Sequence, residues 1–79
     1  MNNGLNVTNV CFYDKTTLIL LVEDHGNTYR IWVRENESGN IYFIPQYIDT
    51  EYGEVLDLGD FDKFEFTWEE TVDLIRNDK

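Results

Sequence analysis

The sequence predicts an α+β fold: an antiparallel meander of four or five strands with one C-terminal helix packed on one face. Three observations predict it. Turn signals divide residues 1–48 into four runs rich in β-formers. A helix-start motif, Thr67-Trp68-Glu69-Glu70, opens a segment with apolar residues at helical spacing. The connections are short, which favours antiparallel neighbours, and one sheet under one helix makes two layers around one core.

The first run is Leu5 to Tyr13, closed by a tight turn at Asp14-Lys15. The second, Thr16 to Glu23, contains Leu18-Ile19-Leu20-Leu21-Val22. A strand apolar at every position is expected in the sheet interior, with both faces at least partly covered. Asp24-His25-Gly26-Asn27 is the next turn, because Gly and Asn tolerate positive φ. Thr28 to Arg34 alternates, with Tyr29, Ile31 and Val33 on one face and Arg30, Trp32 and Arg34 on the other. Glu37-Ser38-Gly39-Asn40 turns the chain into the fourth run, Ile41 to Ile48. Pro45 has no N–H to donate, so it predicts a sheet edge or the end of pairing there.

Residues 49–60 read less simply. Gly53 and Gly59 punctuate them, and Val55, Leu56 and Leu58 fit either a short strand or an irregular loop. Phe64 and Phe66 alternate, as in a continuing strand. Thr67 then caps a helix. Its hydroxyl and the Glu70 carboxylate each satisfy a free backbone N–H. Glu69 and Glu70 suit the positive end of the helix dipole, and Arg76 and Lys79 the negative end. Trp68, Thr71, Val72 and Ile75 share one helical face.

Composition bounds the functions open to such a fold. The 79 residues make one domain, 1–79, with a stability of a few kcal/mol. A hydrophobic content of 42% and an aromatic content of 15% are too high for a disordered chain. The net charge of −10, from 16 acids and 6 bases, repels nucleic acid and anionic lipid. The expected partner is therefore a basic surface, with no direct contact to nucleic acid. The longest apolar run, Leu18 to Val22, is far shorter than the ~20 residues a membrane span needs. Met1-Asn2-Asn3-Gly4 lacks the basic start and apolar stretch of a signal peptide. Cys11 is a single cysteine and cannot form an internal disulfide. These features point to the cytoplasm.

The charge is unevenly placed. Residues 1–48 carry five acids against three bases, and residues 49–79 carry eleven acids against three bases. The acids of the second part recur every two to four residues, with apolar residues between them. The apolar residues anchor that segment, so the carboxylates should project outward as a folded negative surface. A rigid carboxylate array imitates a phosphate backbone, which proteins bind through Lys and Arg. The candidate partner-binding residues are Glu54, Asp57, Asp60, Asp62, Glu65, Glu69, Glu70 and Asp73. Trp32 and Tyr42 are candidate apolar anchors.

In size and charge the chain is similar to phage-encoded inhibitors, the DNA-mimicking proteins that oppose restriction, CRISPR or uracil-excision systems. The likeness is one of class and rests on no specific residue. It implies a non-enzymatic anti-defence inhibitor that acts in the cytosol of a bacterial host. Two other classes fit the same chain. One is an interaction module or accessory subunit, including a homodimer joined through the edge strand after Asn40. The other is an acidic immunity protein or antitoxin, which uses the same electrostatics. A solvated acidic surface that only maintains solubility is the plainest reading of the charge.

Other constellations carry less. Arg30, Trp32 and Arg34 resemble a base-stacking strand, but two arginines on a chain of −10 make a poor nucleic-acid footprint. Asp57, Asp60, Asp62 and Glu65 lack the glycine and ligand spacing of a calcium loop, so no metal is expected. His25, Cys11 and Ser38 fall in separate elements. No nucleophile–base pair, phosphate loop or cofactor motif is evident, and the chain reads as no enzyme.

Overall fold

A computed structural model describes residues 5–59 and 65–78. Five strands run in order as β1 (Asn6–Asp14), β2 (Thr17–Asp24), β3 (Asn27–Glu35), β4 (Ile41–Asp49) and β5 (Glu54–Asp57). They pair in sequence order, β1-β2-β3-β4-β5, and every pairing is antiparallel. One helix, α1 (Trp68–Arg76), packs against β4. The predicted meander with a C-terminal helix is the observed architecture, and residues 54–57 supply the fifth strand.

The turns follow local chemistry. Between β2 and β3 the loop has two residues, and both take positive φ: His25 at 51° and Gly26 at 83°. This is the backbone sense that matches the twist of the flanking strands. Asn27, expected within the turn, instead begins β3. Histidine is tolerated at positive φ more readily than most side chains, and its Nδ1 lies 2.8 Å from Asp24 Oδ2. The β4–β5 turn is held by Asp49, whose Oδ1 accepts from the backbone N–H groups of Glu51 and Tyr52.

Pro45 lies inside the sheet, opposite Ile31 of β3. On the far side of β4 it is where the ladder with β5 ends, although β4 itself continues through it. The β4–β5 ladder ends at Gln46 and Asp57. Beyond it the Pro45 carbonyl accepts from Leu58 N–H at 3.2 Å. Two residues on, Phe43 and Phe66 exchange both backbone bonds, at 2.9 and 3.1 Å. The missing proline N–H therefore falls in a gap between two pairings. Because β3 and β5 flank it, β4 is not an edge. The homodimer expected through the strand after Asn40 has no open edge there to use; the edges are β1 and β5. Phe66 forms an isolated bridge with β4, and Phe64 lies outside the described residues.

The core lies between one face of the sheet and α1. Val22, Tyr29, Ile31 and Ile75 are fully buried, and Leu5 and Val72 nearly so. Leu20, Val33, Phe43, Tyr47, Leu58 and Trp68 pack around them. The alternation of Tyr29, Ile31 and Val33 thus marks the helix-covered face. Phe43 and Trp68 meet edge to face at 5.2 Å.

The helix starts as its motif predicts. Thr67 Oγ1 accepts from Glu70 N–H at 3.1 Å, and Glu70 Oε1 accepts from Thr67 N–H at 2.9 Å. Thr71, Val72 and Ile75 are the buried positions. The second face of the sheet has no layer over it among the described residues. Leu18 to Leu21 are half-buried rather than covered on both sides, because one nine-residue helix shields only one face. Cys11, expected as a small core or sheet residue, is a sheet residue exposed on β1. Among the described residues, no helix is long and apolar enough to cross a membrane.

Thr71 is fully buried, and among the described residues its hydroxyl has no hydrogen-bond partner. A buried unsatisfied hydroxyl costs about 1–3 kcal/mol. Thr71→Val keeps the shape and removes the polar atom. It should raise stability by about 1 kcal/mol, a rise in Tm of about 4–8 °C for a domain this size. A differential scanning calorimetry trace with an unchanged or lower Tm would show that the hydroxyl is satisfied in solution.

Candidate functional site

The described candidate residues lie on β3, β4, β5, the segment before α1 and α1 itself, on both faces of the sheet. Pairing alternation decides which face each takes. Leu56 pairs with Tyr47 of the core, so Glu54, two residues away, points to the helix side. Asp57 points to the opposite side, the open face. Glu69, Glu70 and Asp73 project from α1. Glu65 immediately precedes the Phe66 bridge. Asp60 and Asp62 lie outside the described residues.

Several of these acids already hold local structure. Glu70 closes the helix cap. Glu65 Oε1 accepts from Asn36 Nδ2 at 3.3 Å. Asp57 Oδ1 accepts from Gln46 Nε2 at 2.8 Å. Glu54, Glu69 and Asp73 differ: among the described residues their carboxylates meet no donor and no cation. Glu69 and Asp73 are also i, i+4 neighbours, a like-charge spacing that costs a helix about 0.2–0.5 kcal/mol. A cation from outside would relieve that repulsion.

Between α1 and the chain near Leu58 and Phe66 lies an open depression of about 480 Å³. Leu58, Phe66 and Leu74 line it together with Glu70, Asp73 and Asp78. Apolar carbon beside carboxylates suits the stem and head of a long basic side chain.

The open face holds the aromatic candidates. Trp32 stands between Ile19 of β2 and Ile44 of β4. Its Nε1 donates to Gln46 Oε1 at 2.9 Å, and Arg30 Nε donates to the same oxygen at 2.9 Å. The Arg30 guanidinium lies 5.4 Å from the Trp32 ring centre, and Tyr13 meets that ring edge-on at 5.2 Å. Gln46 thereby links Trp32 and Arg30 to Asp57. Tyr42, opposite Arg34, is half-buried. The structure brings Trp32 and Asp57 into one network and places Glu54, Glu69 and Asp73 on the other side of the sheet.

Sequence reasoning missed Gln46 and Tyr13. A glutamine one residue after Pro45 carries no periodic signal, and its role depends on the register with Arg30 and Asp57. Tyr13 reaches Trp32 across β2, which only the strand order reveals.

Of the remaining reactive side chains, His25 is exposed in its turn. Among the described residues, no group of three or more His, Cys, Asp or Glu side chains is placed to hold a metal ion. Comparison with protein-family models, with curated proteins and with solved structures finds no match to this chain.

Proposed function

We propose that this chain is a non-catalytic binding protein whose acidic rim, formed around β5 and α1, occupies a basic nucleic-acid-binding surface on another protein. The observation that carries this reading is the state of Glu54, Glu69 and Asp73. Among the described residues their carboxylates meet no cation, and all three residues are exposed. The stretch from Leu5 to Tyr13, at the opposite edge of the sheet, has no charged residue. The field of the molecule is thus polarised along the sheet, and such a field steers a basic partner to one end. Inhibition of a nucleic-acid-binding enzyme or complex, as by phage anti-defence proteins, is the function this surface suits.

The test is capture from a bacterial lysate, followed by variants. A nucleic-acid-binding protein should be retained at low salt and released by added salt or excess duplex DNA. Glu54→Lys/Glu69→Lys/Asp73→Lys should weaken that binding about ten- to a hundredfold, from three lost ion pairs and the repulsion that replaces them. Thermal unfolding should stay nearly unchanged. Binding indifferent to salt, DNA and charge reversal would refute the acidic-rim reading. It would favour a second one, an interaction module that docks through Ile19, Trp32 and Ile44 on the open face.

A further inference from the structure

We propose that two copies of this chain associate through β1, antiparallel about a two-fold axis at Cys11, so that their sheets become one. The two edges of the sheet are unlike. β5 has four residues and carries Glu54 and Asp57. A short charged strand is how sheets protect an edge from pairing. β1 has nine residues, all exposed. Val7, Val10, Phe12 and Tyr13 are 40%, 49%, 81% and 65% exposed. From Asn6 to Tyr13 this edge is long, without charge and partly apolar, and such an edge is a template for another strand.

Charge selects a second copy as the occupant. Two molecules of −10 can approach only where their charge is lowest, and Leu5 to Tyr13 has no Asp, Glu, Lys or Arg. Pairing there leaves the acidic rims at the two far ends. Antiparallel pairing also carries Lys15, just past β1, toward the end of the partner's sheet that holds Glu23 and Asp24.

The backbone sets the register. The Val10 N–H is taken by the Asn9 side-chain oxygen at 2.9 Å, so it points away from β2 toward the open edge. Phe12, two residues on, has its backbone groups on that same side. The β1–β2 ladder is regular from Asn9 to Phe12, between irregularities at Val7/Asn9 and Phe12/Asp14. With Cys11 on the axis, the exposed Asn9 side chain turns aside from the Val10 N–H, and each Val10 exchanges backbone bonds with the partner's Phe12. Those two side chains then cover each other twice by symmetry. The two Cys11 residues become a non-hydrogen-bonded pair with Cα atoms about 4.5 Å apart. That separation lies within reach of a disulfide.

Sedimentation velocity over a concentration series should show a monomer–dimer equilibrium for the reduced protein. Val10→Lys/Phe12→Lys should sediment as a monomer with an unchanged far-ultraviolet circular dichroism spectrum. Oxidation of the wild type with diamide should give a Cys11-linked dimer, which Cys11→Ser does not form. The proposal is overturned by a wild type that stays monomeric at the highest concentration reached. It is also overturned by a dimer that survives in Val10→Lys/Phe12→Lys, or by one that diamide fails to link through Cys11.

Discussion

Ile75→Ala should unfold this domain at temperatures where the wild type is intact. Ile75 is fully buried in the helix layer, packed in the cluster with Val22, Tyr29 and Ile31. Truncating a buried isoleucine to alanine costs about 2–5 kcal/mol, part lost transfer energy and part cavity. At ~3 kcal/mol the expected fall in Tm is about 12–24 °C. A small domain holds only a few kcal/mol in reserve, so the variant keeps little of its fold. Tyr52→Ala removes a larger side chain that is 73% exposed, and it should shift stability by less than about 0.5 kcal/mol. Circular dichroism melts of both variants test the layer assignment. Equal effects would mean that α1 does not seal the core as described.

Alkaline pH should destabilise the fold through one phenol. The Tyr29 ring is buried, and its hydroxyl donates to Asp78 Oδ2 at 3.0 Å. Burial, together with the hydrogen bond to the Asp78 carboxylate and its charge, pushes the phenol up to about 12 from its ordinary 10.0. A group whose pKa is raised on folding stabilises fully below its unfolded pKa. That stability is lost as pH rises toward the folded value. The urea midpoint of the wild type should therefore drop between about pH 10 and pH 12. Tyr29→Phe has no proton to lose there and should drop less over the same range. At neutral pH it should be the weaker protein by about 1 kcal/mol, from the missing hydrogen bond. Parallel slopes for the two proteins would show that Tyr29 ionises as freely when folded as when unfolded.

Most of the fold was legible because its signals are local. The alternation from Tyr29 to Val33, the turn residues and the Thr67–Glu70 box each specify a structure within a few residues. Coverage was not legible. Leu18 to Val22 is apolar on both faces, but whether both are buried depends on how many helices the chain can supply. Pro45 offered two readings, an edge or an end of pairing, and only the position of β5 and Phe66 beside β4 separates them. The candidate site was legible as a set of charges and not as a surface. Asp57 is three residues from Glu54, so it lies across the sheet from it. The occupation of Glu70 and Glu65 by backbone and Asn36 leaves a smaller outward-facing set.

The order of elements along the chain has a consequence for biosynthesis. Each strand pairs with its sequence neighbour, so the hairpins close one after another as the chain leaves the ribosome. The helix that covers Tyr29, Ile31 and Phe43 is made only afterwards. During that interval the nascent sheet presents an uncovered apolar face and an open β1 edge to the crowded cell. Rapid helix nucleation by the Thr67–Glu70 cap shortens this exposure.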